Sequence, residues 1–132
     1  MSLELVPFAE EHLPGVLQLY EAEGWPSFPE DPALARHALT APGIVALVAA
    51  DGSEVVGCAR LLTDGSLSAY LCELVVAGTA RRRGVGRALV QEAFARSGAR
   101  RLDLLAEEGS EAFYRSFRQR DLPGYRLYPD AT

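Results

Sequence analysis

Lysine is missing altogether from this chain of 132 residues, cysteine occurs twice, and tryptophan and methionine occur once each. All 13 basic residues are therefore arginine, set against 18 acidic residues for a net charge of −5. A field of that sign repels polyanions, which argues against broad nucleic-acid binding. Cys58 and Cys72 lie in apolar runs, without CxxC spacing and away from His12 and His37, so neither a disulfide framework nor a metal site is indicated. Both are expected as buried, reduced thiols. No apolar run reaches transmembrane length. The first eight residues, broken by Glu4 and Pro7, lack the basic start and apolar stretch of a secretory signal. The expectation is one cytoplasmic domain over residues 1–132, with no membrane partner.

What is present is unevenly placed. Arg81, Arg82, Arg83 and Arg87 crowd one short stretch of an otherwise acidic chain, which suggests a local anion site. Around it the periodicity alternates between short strands and helices. Residues 3–6 read as a strand, and residues 10–22 as a helix with Leu13, Val16, Leu17 and Tyr20 at helical spacing. Residues 24–29 form a loop whose Trp25 and Phe28 are expected to cover the core or line a substrate site. Asp31-Pro32 opens a second helix through about residue 39. Strands at 44–49, 54–62 and 67–76 are separated by Asp51-Gly52 and Asp64-Gly65, turn signals that predict an antiparallel meander. A helix begins at Gly84, with Gly86, Leu89, Val90, Ala93, Phe94 and Ser97 on one face and Gly98 as its stop. A strand at 101–105, a helix capped by Ser110 with Phe113, Tyr114 and Phe117 as its stripe, and a last short strand at 125–128 complete an α+β arrangement around a central mixed sheet.

The segment from the strand at 67–76 through the loop to the helix at Gly84 carries the chemistry. It gathers unpaired backbone N–H groups, a helix dipole and guanidinium groups in one small volume, and two glycines allow close approach of a pyrophosphate. Arginine adds bidentate contacts to phosphate oxygens. A P-loop fits worse because its lysine is missing, and the dinucleotide fingerprint fits worse because Leu89 stands where it needs a third glycine. A meander also lacks the parallel crossover of a Rossmann unit.

This stretch resembles the GNAT superfamily of acyl-CoA N-acyltransferases, whose signature is Gln/Arg-x-x-Gly-x-Gly/Ala at a strand-loop-helix junction. Arg81, Gly84 and Gly86 match it, whereas Gly78 replaces a common proline and Arg82-Arg83 precede the first glycine. The order of elements agrees along almost the whole chain, including Ala112-Phe113-Tyr114. The resemblance implies a mainly antiparallel mixed sheet flanked by about four helices, with two strands splayed at the coenzyme site. It implies acetyl-CoA as co-substrate and a small-molecule or peptide amine as acceptor, and it leaves a homodimer open. Arg81, Arg82, Arg83, Gly84, Val85, Gly86, Arg87 and Ala88 would hold the pyrophosphate, and the backbone of Leu74, Val75 and Val76 would pair with the pantetheine arm. One of those N–H groups would polarise the thioester carbonyl.

An alkylamine must lose a proton before it attacks. Glu73 is the first candidate base. It is the only carboxylate of its strand, and it matches a position often acidic in relatives with a similar Gly57-Cys58-Ala59-Arg60 and Asp64-Gly65 before it. The alternative is that Glu73 turns away or pairs with an arginine such as Arg60. Tyr70, acting through a water, is the second candidate. Tyr114 matches the family tyrosine that serves the departing thiolate, while as a residue it also fits plain core packing beside Phe113 and Phe117. The usual Gly-Phe after that helix is missing, so a binding module without catalysis is the rival reading. Polyamines, amino acids, aminoglycosides, arylalkylamines and protein termini all stay open as acceptors.

Overall fold

The computed structural model describes residues 2–130. Strand β1 (Leu3–Pro7) leads through a 3-10 turn (Glu10–His12) into α1 (Leu13–Ala22), followed by α2 (Ser27–Glu30) and α3 (Pro32–Thr40). Strands β2 (Ile44–Asp51), β3 (Glu54–Thr63) and β4 (Ser68–Val76) come next, then α4 (Val85–Ser97), β5 (Arg101–Leu104) and α5 (Glu111–Arg115). The five strands stand in the sheet in chain order. Pairing is antiparallel from β1 to β4 and parallel between β4 and β5, as the mixed-sheet expectation requires.

Local chemistry sets these boundaries. The Asp31 carboxylate accepts from the Leu34 N–H at 3.1 Å and Pro32 fills the first turn, so α3 starts where an orphan donor is satisfied. The β3–β4 turn is held by one oxygen of Asp64, which accepts from the N–H groups of Leu67 and Ser68 at 2.8 and 3.1 Å and holds that carboxyl below its ordinary range. Period-2 alternation then divides the core into two layers. Leu47, Leu61 and Leu71 meet Val85, Leu89 and Ala93 of α4 on one face. Ala46, Val48 and Cys58 meet Val16, Leu19 and Ala35 of α1 and α3 on the other. Gly57 lets α4 approach closely, since a Cβ there would stand 3.0 Å from Leu89 and 3.2 Å from Val85. Each fully buried leucine in these layers contributes about 2 kcal/mol.

Two expectations are corrected. Residues 125–128 form no strand: Tyr125, Leu127 and Tyr128 are exposed, and the segment does not pair with β5, the four-residue strand at the edge of the sheet. Ser110 does not cap a helix through its side chain: its Oγ donates back to the Glu107 carbonyl at 2.7 Å, and α5 ends at Arg115, before Phe117. The flanking helices number five among the described residues, because the loop with Phe28 coils into α2 and buries that ring.

Candidate active site

The site begins with a defect in β4. Arg60 pairs with Glu73 but Leu61 pairs with Leu71, which makes Cys72 the extra residue of a β-bulge. Before it, Ala69 and Leu71 face α4; after it, Leu74 and Val76 face that side and Val75 faces α1. A bulge bends and twists its strand. The parallel ladder with β5 accordingly stops at Leu71–Leu104, whereas β4 continues to Val76. Beyond that point the β5-facing backbone groups of β4 have no strand beside them, and a cavity of about 1060 Å³ opens there.

One end of the cavity is the start of α4. Gly84 caps the helix in the left-handed region at φ 76°, and no side chain covers the first N–H groups. Arg82 also adopts a positive φ of 66°, which costs a residue with a Cβ about 1 kcal/mol. Strain of this kind is retained where function uses the geometry. Arg81, Arg82, Gly84, Val85, Gly86 and Arg87 all line the cavity; Arg83 and Ala88 do not. The Arg81 Nε donates to the Val76 carbonyl at 3.2 Å, and its Nη2 donates to Glu23. Arg87 donates to the Ser116 hydroxyl at 3.0 Å and lies 4.2 Å over the Phe117 ring. The residues after α5 therefore help to shape this end.

The other end is aromatic and acidic. Both oxygens of Glu73 accept from Arg60, at 2.6 and 2.7 Å, and Oε1 also accepts from the Tyr20 hydroxyl at 2.8 Å. Glu73 thus forms the ion pair with Arg60 and still lines the cavity. That partner raises the Arg60 guanidinium above its ordinary pKa, and burial foremost raises the Tyr20 phenol far above its own. Tyr20 stacks on Phe28 at 4.7 Å and meets Trp25 edge-on at 5.5 Å, and Arg60 lies 5.6 Å above Phe28. Burial pushes the Cys58 thiol up to about 12 and raises Cys72, so neither is a ready nucleophile at neutral pH.

Tyr114 lines the cavity and packs on Phe113 at 4.9 Å; burial raises its phenol, which stays protonated at neutral pH. Leu74, Val75, Val76 and Glu73 line the cavity as well, while Tyr70 lies off it. Tyr70 instead meets Arg126, a lining residue whose guanidinium is raised by the phenols of Tyr128 and Tyr70. Sequence reasoning missed Tyr20, Glu23 and Arg126. Tyr20 carried only a helix-stripe signal, and nothing near Glu23 or Arg126 marked them. Together the features make a slot for an extended, anion-headed ligand that runs along β4 toward a pocket of aromatic rings and carboxylates.

A family model described as an acetyltransferase (GNAT) domain matches residues 42–117. A GNAT family acetyltransferase of Streptococcus pneumoniae is 30% identical, with a TM-score of 0.74 and 98% of each chain covered. A putative acetyltransferase of Agrobacterium tumefaciens is 26% identical, with a TM-score of 0.79, covering 96% of this chain and 99% of that one. The fold is also that of AAC(6')-Iy, solved with a bisubstrate analog, CoA-S-monomethyl-acetylneamine; it is 18% identical over 100% of both chains, with a TM-score of 0.79. No curated protein sequence matches.

Proposed function

Since this chain belongs to the GNAT acetyltransferase family, and is thereby an N-acetyltransferase, we propose that it transfers an acetyl group from acetyl-CoA to a primary amine of a small cationic molecule by direct attack in a ternary complex. The observation that carries the reading is the parallel ladder that stops at Leu71–Leu104 beside the uncovered start of α4 and its arginines. The donor set suits acetyl-CoA: N–H groups and guanidiniums for the pyrophosphate, free strand edge for the amides of the arm.

Acetyl-CoA supplies an activated acyl group as a thioester. The N–H groups at Leu74 and Val76, which point away from β3, hold the arm on either side of Val75, and one of them is aimed at the carbonyl oxygen as it gains charge. The amine nitrogen bonds to the acyl carbon, the carbon–sulfur bond breaks, and one proton leaves the nitrogen. Glu73 takes that proton, with Arg60 and Tyr20 fixing its carboxylate. Tyr114 donates a hydrogen bond to the departing sulfur. Its phenol stays well above the thiol range of about 8.5, so it stabilises the thiolate without losing its proton outright. With Cys58 and Cys72 both pushed toward the thiol, no acyl-enzyme step is needed.

The acceptor end favours a positively charged amine, because Glu23 and Glu73 stand there among Tyr20, Trp25 and Phe28. That chemistry agrees with the aminoglycoside named for several structures of this fold. The test is CoA thiol release from acetyl-CoA across a panel of polyamines, aminoglycosides, arylalkylamines, amino acids and peptides. Amine-dependent release that falls in Tyr114→Phe supports the reading. The full engagement of Glu73 by Arg60 and Tyr20 favours one rival, a coenzyme-binding module without turnover, for which acetyl-CoA binds and no amine releases thiol.

A further inference from the structure

Arg81 is engaged on two sides. Its Nε holds the Val76 carbonyl at 3.2 Å and its Nη2 holds the Glu23 carboxylate. Glu23 is the C-cap of α1, with its N–H on the Leu19 carbonyl at 3.2 Å. Gly24, at φ 77°, then reverses the chain, and the Trp25 N–H returns to the Tyr20 carbonyl at 2.9 Å. A single turn thus carries both the carboxylate that neutralises Arg81 and the indole that walls the acceptor end. Both residues line the same cavity.

A phosphate brought to Arg81 meets that carboxylate as a like charge competing for the same donors. The side chains of the pair are 59% and 29% exposed, so the contact is weak enough for a ligand phosphate to displace, at roughly a threefold to fivefold loss of affinity. We infer that Glu23 is an internal counter-ion of the coenzyme site, standing on Arg81 until a coenzyme phosphate replaces it and frees a carboxylate beside Trp25 on the acceptor wall. Acceptor recognition is then completed only after acetyl-CoA has entered, and Glu23 is the positioning residue that links the two ends. The inference rests on the proposed role of residues 81–87 in holding acetyl-CoA.

Trp25 is the only tryptophan of the chain and reports on this turn directly. Acetyl-CoA is titrated into the full chain, into Glu23→Gln and into Arg81→Gln, with calorimetry and tryptophan emission read together. The wild type should change emission as it saturates. Free Glu23→Gln, which has no carboxylate to release, should bind acetyl-CoA about three to five times more tightly. Free Arg81→Gln, whose Glu23 carboxylate is already released, should show the saturated emission before any ligand is added while binding weakly. Wild-type binding together with a Glu23→Gln variant that binds no more tightly, or an Arg81→Gln variant that keeps the emission of the free wild type, overturns the inference alone. A wild type that takes up no acetyl-CoA overturns the proposed function, and the inference with it.

Discussion

Replacing Glu73 by glutamine should unsettle the protein well beyond the loss of one hydrogen bond. Arg60 and Glu73 are 17% and 23% exposed, joined by two bonds of 2.6 and 2.7 Å, with the Tyr20 hydroxyl on the same carboxylate at 2.8 Å. Removing one partner of a fully buried pair costs about 3–5 kcal/mol, because the other charge is left without compensation. Partial exposure of this pair lowers the expectation to about 2 kcal/mol. An unfolding entropy of about 2 cal/mol/K per residue converts this, for a chain of 132 residues, into a fall in Tm of about 7 °C. The assay is thermal denaturation by circular dichroism at pH 7, run beside the double variant Arg60→Met/Glu73→Leu. Exchanging both charges for apolar groups of similar size should recover most of the loss. A Glu73→Gln Tm within about 2 °C of wild type would refute the claim that this partly buried pair stabilises the fold. Activity separates the two roles of Glu73: a double variant that melts like wild type yet turns over normally would remove it from the proton path.

Tyr114→Phe should lower kcat by about tenfold to a hundredfold and leave acetyl-CoA affinity unchanged, measured by thiol release and calorimetry. Gly84→Ala should cost about 1–2 kcal/mol, since φ 76° places its Cβ in the left-handed region, and should also weaken acetyl-CoA binding. Arg82→Gly is expected to melt higher than wild type while binding acetyl-CoA less well, because it removes strain and a guanidinium together. Asp64 has its folded pKa depressed by the N–H groups of Ser66, Leu67 and Ser68, so its stabilising effect is present above the ordinary carboxylate range. That effect is lost as pH falls through the lower, folded value. Melts of Asp64→Asn against wild type should therefore differ at pH 7 and begin to converge only once the pH falls below about 4.

The meander was legible because Asp51-Gly52 and Asp64-Gly65 mark turns by their own local chemistry, and β2, β3 and β4 fall between them. The strand-loop-helix junction was legible for a similar reason, since Gly84 at φ 76° meets a requirement few other residues can. The bulge at Cys72 gave no signal, because any residue can be the extra one in an antiparallel pair; yet it sets which β4 residues face which layer. Glu73 stood out by type, while its engagement depends on Arg60 being opposite and Tyr20 arriving from α1, 53 positions away. The strand expected at 125–128 failed for the opposite reason. Alternation reports what a segment favours and says nothing of where the chain leads it: Gly124 packs on Leu105 just past β5, and the residues that follow do not join that edge strand.

The direct measurement of the central claim is calorimetric titration of acetyl-CoA into the wild-type chain and into Arg81→Glu. The account predicts one saturable site per chain in the wild type and a large loss of affinity when the guanidinium at residue 81 becomes a carboxylate. Absence of binding heat from the wild type with acetyl-CoA at millimolar concentration would contradict it.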